Sequence, residues 1–212
     1  MTSIDQAASS SRDIQTHKKD IRRIAVQTRR AAKKTETDNL KLKLLNVFCS
    51  FASDILPGAF NITNRPLVAA AYMADASEID PSQILSYLRD TGWQTALPCI
   101  EDDASLSFRA WQFGDALAIG KYDMQEPASE AAIVIPDLVI APLLAFDRQG
   151  NRLGRGGGYY DRALKTLRAQ GQVLVVGIGF DAQLFEKVPH EQHDEKLDFA
   201  LTPSGVHEFE AA

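Results

Sequence analysis

The chain has 212 residues, of which 45% are apolar and 24% charged, with a formal charge of -5. This balance fits a soluble globular domain and argues against a general nucleic-acid surface, because its positive charge is clustered locally between Lys18 and Lys43 and again around Arg152 to Arg162. No run approaches the roughly 18 consecutive apolar residues of a membrane span.

The opening MTSIDQAASSSRDIQTH lacks the apolar core of a secretory signal and carries acids that a transit peptide avoids. Residues 1–16 read as a disordered tail, and 17–212 as a single domain. Cys49 and Cys99 each sit in an apolar run without CxxC spacing, which points to buried thiols and a reducing, cytoplasmic setting.

From Lys18 to about Leu56, Ile21, Ile24 and Ala25, then Leu42, Leu45, Phe48 and Phe51, recur at helical spacing, giving two helices broken near KKTETD. Thr37 or Asp38 caps the second. PLVAAAYM reads as a buried strand. Asp80 and Pro81 then open a helix, PSQILSYLRDTG, that Gly92 ends. WQTALPCI and LSFRAWQF read as strands around the turn EDDAS, and IGKYDMQEPASEAAIVIP reads mostly as connection.

DLVIAPLLAF is apolar on both faces, as a parallel strand covered by helices on each side should be. YYDRALKTLRAQ reads as a helix stopped by Gly171, and QVLVVGIGF as a second two-sided strand. The order predicts an α/β fold: an open, mainly parallel sheet flanked by helices, with an N-terminal helical arm.

Between that strand and helix lies RLGRGGGYYDR, with four glycines and three arginines in eleven residues. A loop at the carboxyl end of a parallel strand faces the ligand crevice, and the next helix aims its first amides there. Glycines let backbone approach phosphate oxygens, and Arg152 and Arg155 add charge. Asp161 would repel phosphate unless a divalent cation lay between them, so Mg2+ with a triphosphate is inferred. No GK[ST] follows, so this is not a P-loop, and it is not a clean GxGxxG dinucleotide fingerprint. A surface turn with solvated arginines is the plainer alternative.

DLVIAPLLAFDRQGNRLGRGGGYYDRAL, together with the Lys18 to Arg22 helix, YMADASEID, KYDMQEP and FDAQLFEKVPHEQHDEKLDFALTP, closely resembles the signature of the 5-formyltetrahydrofolate cyclo-ligase family. The resemblance covers nearly all the chain after the first 16 residues. It implies conversion of 5-formyltetrahydrofolate to 5,10-methenyltetrahydrofolate with ATP and Mg2+, through a phosphorylated N5-iminium intermediate, in a cytoplasmic monomer with no nucleic-acid or membrane partner. It places ATP contacts on Lys18, Lys19, Asp20, Ile21 and Arg22, and on Arg152, Leu153, Gly154, Arg155, Gly156, Gly157, Gly158, Tyr159 and Tyr160. Folate contacts fall on Arg22, Met73, Glu78 and Arg155 to Tyr159, magnesium ligands on Asp161 and Asp194, and catalytic roles on Arg155 and Asp161. Ser77 stands where many members have glycine, and Gly157 where some have lysine, a charge that Arg152 or Arg155 would supply.

Taken alone, Lys18 and Arg22 are four apart on one helical face, a stripe more often merely solvated. Glu78 could accept two hydrogen bonds from a pterin edge or simply front the helix after it. Met73 alone reads as core. His190 and His193 do not form an HExxH pair and read as loop residues, with Asp194 the preferred ligand for Mg2+. The other readings are a nucleotide-binding regulator without turnover and a kinase for another amide-like substrate. Asp161, Asp194, Arg155 and Glu78 together favour the enzyme.

Overall fold

The computed structural model describes residues 3–60 and 65–210, with side chains from Asp13 onward. Helix α1 (Ser3–Lys34) runs without interruption to Lys34. It thus begins inside the stretch read as a disordered tail, whose first two residues lie outside the described ones. Helix α2 (Asp38–Asp54) is capped by Thr37, whose side chain accepts from the Leu40 amide at 3.3 Å. A one-turn helix α3 (Leu56–Ala59) follows.

Strand β1 (Val68–Ala70) leads through helix α4 (Ser82–Asp90) to β2 (Gln94–Ile100), which turns back into β3 (Leu106–Ala110). Asp80 Oδ1 accepts from the Ser82 amide at 2.9 Å, but α4 starts one residue later than the Asp80–Pro81 pair predicted, with Pro81 and not Asp80 at its N-cap. β4 (Leu117–Ile119) and β5 (Gln125–Pro127) form a hairpin, with β5 inside the stretch from Ile119 read as connection. Its alternation is too short to register as a strand pattern.

The run DLVIAPLLAF is not one strand. β6 (Leu138–Ala141) stops at Pro142, which has no amide to donate, and β7 (Ala145–Phe146) pairs instead with β8 (Arg152–Leu153). Helix α5 (Tyr159–Gln170), β9 (Leu174–Ile178), β10 (Phe199–Thr202) and β11 (Gly205–Glu208) complete the chain.

Seven strands form one sheet in the order β11-β10-β9-β6-β1-β2-β3. The inner pairings are parallel, and only the edge strands β11 and β3 run antiparallel to their neighbours. This is the α/β architecture the strand and helix order predicted. Alternation along the strands divides the core: Ala69, Leu138, Ile140 and Val176 face α2 and α4, while Ala70, Val139, Ala141 and Val175 face Ala163, Leu164 and Leu167 of α5. α1 docks separately, through Ile21, Ala25 and Val26 on Leu144, Leu153 and Val188. Among the described residues no helix is long and apolar enough to cross a membrane.

Candidate active site

A cavity of about 810 Å³ opens where the parallel strands end. Tyr72 and Met73 follow β1, Pro98 and Ile100 belong to β2, and Pro142 to Leu144 follow β6. The glycine stretch from Arg152 to Arg162 closes one side, and Lys18, Arg22 and Arg29 of α1 close another.

The loop geometry needs its glycines. Gly156 has φ +104° and Gly158 has φ +66°, backbone that side chains avoid. Gly157 is not in that region, but a Cβ there would lie 2.6 Å from the Tyr159 ring. Gly158 leads straight into α5, so the first amides of that helix open onto the cavity with no side-chain cap. Arg22 Nε donates to the Gly154 carbonyl at 3.0 Å and lies beside Gly156, which ties α1 to this loop.

At one end of the cavity the carboxylate of Glu78 is buried. Its Oε1 accepts from Arg29 Nη1 and from Arg155 Nη2, each at 2.9 Å, and its Oε2 accepts from the Asp75 amide at 3.0 Å. Arg155 also donates to Asp75. Burial works against the Arg155 charge, but the carboxylates of Glu78 and Asp75 outweigh it and raise its pKa. Arg155, expected at the phosphates, thus rests among acids.

At the other end, Lys18 is buried and its Nζ bridges Glu191 Oε2 at 2.9 Å and Asp194 Oδ2 at 2.5 Å. Asp161 Oδ1 accepts from Arg152 Nη2 at 2.9 Å and from the Glu195 amide at 3.2 Å, so α5 and the loop carrying Asp194 meet here. Glu191, His193 and Asp194 offer ligand atoms within 4.8 Å of one another. His193 lies in a loop, as its sequence context predicts, and its Nε2 is 3.8 Å from Glu191 Oε2 and 3.9 Å from Asp194 Oδ1.

Between the two ends, burial raises the Tyr160 hydroxyl pKa although Arg152 opposes it. Among the described residues that hydroxyl has no hydrogen-bond partner. The Arg152 guanidinium lies 5.6 Å from the centre of the Tyr160 ring. At the rim, Tyr159 and Tyr122 meet hydroxyl to hydroxyl at 3.0 Å.

The cavity therefore gathers Lys18, Arg22, Met73, Glu78, Asp194 and the whole run from Arg152 to Asp161. Lys19 and Asp20 are exposed and outside the lining, and Ile21 packs into the hydrophobic contact below the helix. Arg29, Asp75, Tyr122 and Glu191 line the cavity without having been singled out. For Arg29 a signal was present: it stands seven residues after Arg22, two helical turns along one face.

The model of the 5-formyltetrahydrofolate cyclo-ligase family matches residues 14–203. A protein of Escherichia coli K12 described as 5-formyltetrahydrofolate cyclo-ligase is 33% identical over 146 residues, 66% of this chain and 80% of that one. One of the same description from Mycolicibacterium smegmatis is 33% identical over 141 residues, 63% of this chain and 72% of its own length. The solution structure of 5,10-methenyltetrahydrofolate synthetase from Aquifex aeolicus superposes with a TM-score of 0.71 at 25% identity, covering 92% of this chain and 94% of that one.

Proposed function

The chain belongs to the 5-formyltetrahydrofolate cyclo-ligase family, and from that premise we propose that it uses ATP and Mg2+ to close 5-formyltetrahydrofolate to 5,10-methenyltetrahydrofolate, releasing ADP and phosphate. The observation that carries this reading is the shared cavity. One cavity joins a glycine loop opening on a helix N-terminus, a basic helix face, a carboxylate corner and an end where the buried Glu78 meets Arg29 and Arg155.

In the proposed reaction the formyl oxygen attacks the γ-phosphorus, the bond to the β,γ-bridging oxygen breaks, and ADP leaves. N10 then attacks the activated carbon and loses its proton, and the carbon–oxygen bond breaks to release phosphate. No protein nucleophile is needed, so the residues position groups and balance charge. Backbone amides of Gly156 to Gly158 and the start of α5 receive phosphate oxygens, with Lys18, Arg22 and Arg152 around them. Arg155 leaves the acids for the transferring phosphate, and Glu78 receives the amino-pyrimidine edge of the pterin beside Met73.

The donors at the Lys18 corner are mostly carboxylate oxygens, the hard ligands Mg2+ selects, and that corner already attracts a cation in the form of the Lys18 ammonium. Asp161 and Asp194 would hold the ion, which when bound neutralises phosphate charge. The unpaired Cys49 and Cys99 accord with action in a reducing cytoplasm.

The test mixes purified protein with 5-formyltetrahydrofolate, ATP and Mg2+ and follows the near-ultraviolet absorbance of the methenyl product. Growth of that band, dependent on both ATP and Mg2+, is expected. A folded protein that forms the product without ATP, or never forms it, overturns the reading.

A further inference from the structure

We propose that Arg29 is the positioning residue for Glu78: it holds that carboxylate in place and aimed when Arg155 moves to the phosphate. The inference rests on the reading of Glu78 as the folate contact.

Glu78 Oε1 is shared by two cations of different standing. Arg155 has 55% of its side chain exposed and hangs from the glycine loop, whereas the Arg29 side chain is 5% exposed. Arg29 is held a second time, by Nη2 donating to Ser77 Oγ at 2.8 Å, and that same nitrogen lies 3.6 Å from Asp75 Oδ2. One arginine is free to leave and the other is fixed.

A buried carboxylate whose cation departs is left uncompensated, and nothing holds the oxygen that the cation had engaged. An amino-pyrimidine needs both oxygens of Glu78 aimed at its paired N–H donors. Asp75, Tyr72 and Tyr160, which also lie close to Glu78, bring no positive charge. Once Arg155 has turned away, Arg29 is the remaining cation on Glu78 among the described residues. The backbone amide of Asp75 fixes Oε2, so both oxygens stay oriented.

Arg29 also explains why a basic residue is buried on α1 at this depth. Its side chain faces the same cavity as Arg22 and Lys18, yet it donates to Glu78 and Ser77 at the proposed folate end, where Arg22 donates to the glycine loop.

The test is a steady-state series on the full chain, with 5-formyltetrahydrofolate and ATP varied separately. Arg29→Gln should raise the folate KM about tenfold or more while the ATP KM stays within about twofold. Arg29→Lys, which keeps the charge but cannot span Glu78 and Ser77 together, should recover part of the loss and leave the folate KM a few-fold above wild type. In a Glu78→Gln background, Arg29→Gln should add less than about twofold, because its effect passes through Glu78. If Arg29→Gln does not fold, Arg29→Lys decides: a higher folate KM alone supports the role, and unchanged constants overturn it. Parallel loss of ATP affinity, or additive effects of the two substitutions, also overturns it. A wild-type chain without turnover removes the cyclo-ligase reading and this inference together, whereas a working wild type with an indifferent Arg29→Gln removes only this one.

Discussion

Arg152 Nη2 lies 2.9 Å from Asp161 Oδ1, so an ion pair fastens the two ends of the glycine loop to each other. The Arg152 side chain is almost wholly buried, and cutting it off from Asp161 leaves its charge short of a partner. Asp161→Asn should therefore act twice. Turnover should fall on the order of a hundredfold or more through lost charge neutralisation, and the melting temperature should drop as well. Asp194→Asn, at the cation corner, should be milder and partly rescued by raised Mg2+. A Mg2+ titration of both variants, alongside thermal melts, checks this. Wild-type rates for both would reduce the two aspartates to structural caps.

Gly156→Ala should weaken ATP use far more than it disturbs the fold. At φ +104° a Cβ is strained by about 1–3 kcal/mol, and it would also meet the Arg22 guanidinium carbon at 3.3 Å. The ATP KM should rise about tenfold, with a smaller change in folate KM. Nucleotide titrations set beside melting curves give the comparison, and equal losses in both would make the loop a structural turn only.

Much of this site was legible along the chain because its parts are local. The glycine run, the arginines at Arg152 and Arg155, and the helix starting at Tyr159 are contiguous, so sequence order alone brought them to one loop beside the cavity. The sheet was legible where strands are apolar on both faces, as in LVIA and LVVGI. Pro142 was underweighted: one missing amide splits the apolar run and creates the β7–β8 hairpin that carries Arg152. Glu191 and Arg29 escaped because their roles depend on residues more than 40 positions away, Lys18 and Glu78, and no local pattern records such a pairing.

Asp75 offers a pH signature. Burial pushes its carboxyl pKa up, but bonds from the Ser77 amide and hydroxyl and the charges of Arg155 and Arg29 prevail and lower it. A depressed acid stabilises the folded chain above its unfolded value and loses that contribution as pH falls through the folded one. Asp75→Asn retains the shape of the turn to Ser77 but not the charge. The stability gap between wild type and variant should be constant from pH 7 to about 5 and shrink below about 4. Urea melts across that range measure it, and a gap that widens toward acid would contradict the assignment.

Cys99 should be chemically silent in the folded chain. Burial and, after it, the nearby Glu126 carboxylate push its thiol up to about 11, against the ordinary 9.0. At pH 8 the thiolate fraction falls by about a hundredfold. Alkylation of Cys99, followed by peptide mass spectrometry, should be at least that much slower than in urea. Rapid labelling in the native state would place Cys99 in a more open setting.

Lys18, Arg22 and Arg29 reach three regions of one cavity from a single unbroken helix. Eleven residues of helical rise span about 16 Å, so α1 works as a ruler laid across the site, with graduations at the cation corner, the glycine loop and the buried acid. Its scale is angular as well as linear. One residue inserted between Arg22 and Arg29 would turn Lys18 and Arg22 by about 100° relative to Arg29, while every strand end stayed where it was. Phase along one helix, more than the placement of any loop, keeps the two ends of the cavity in step.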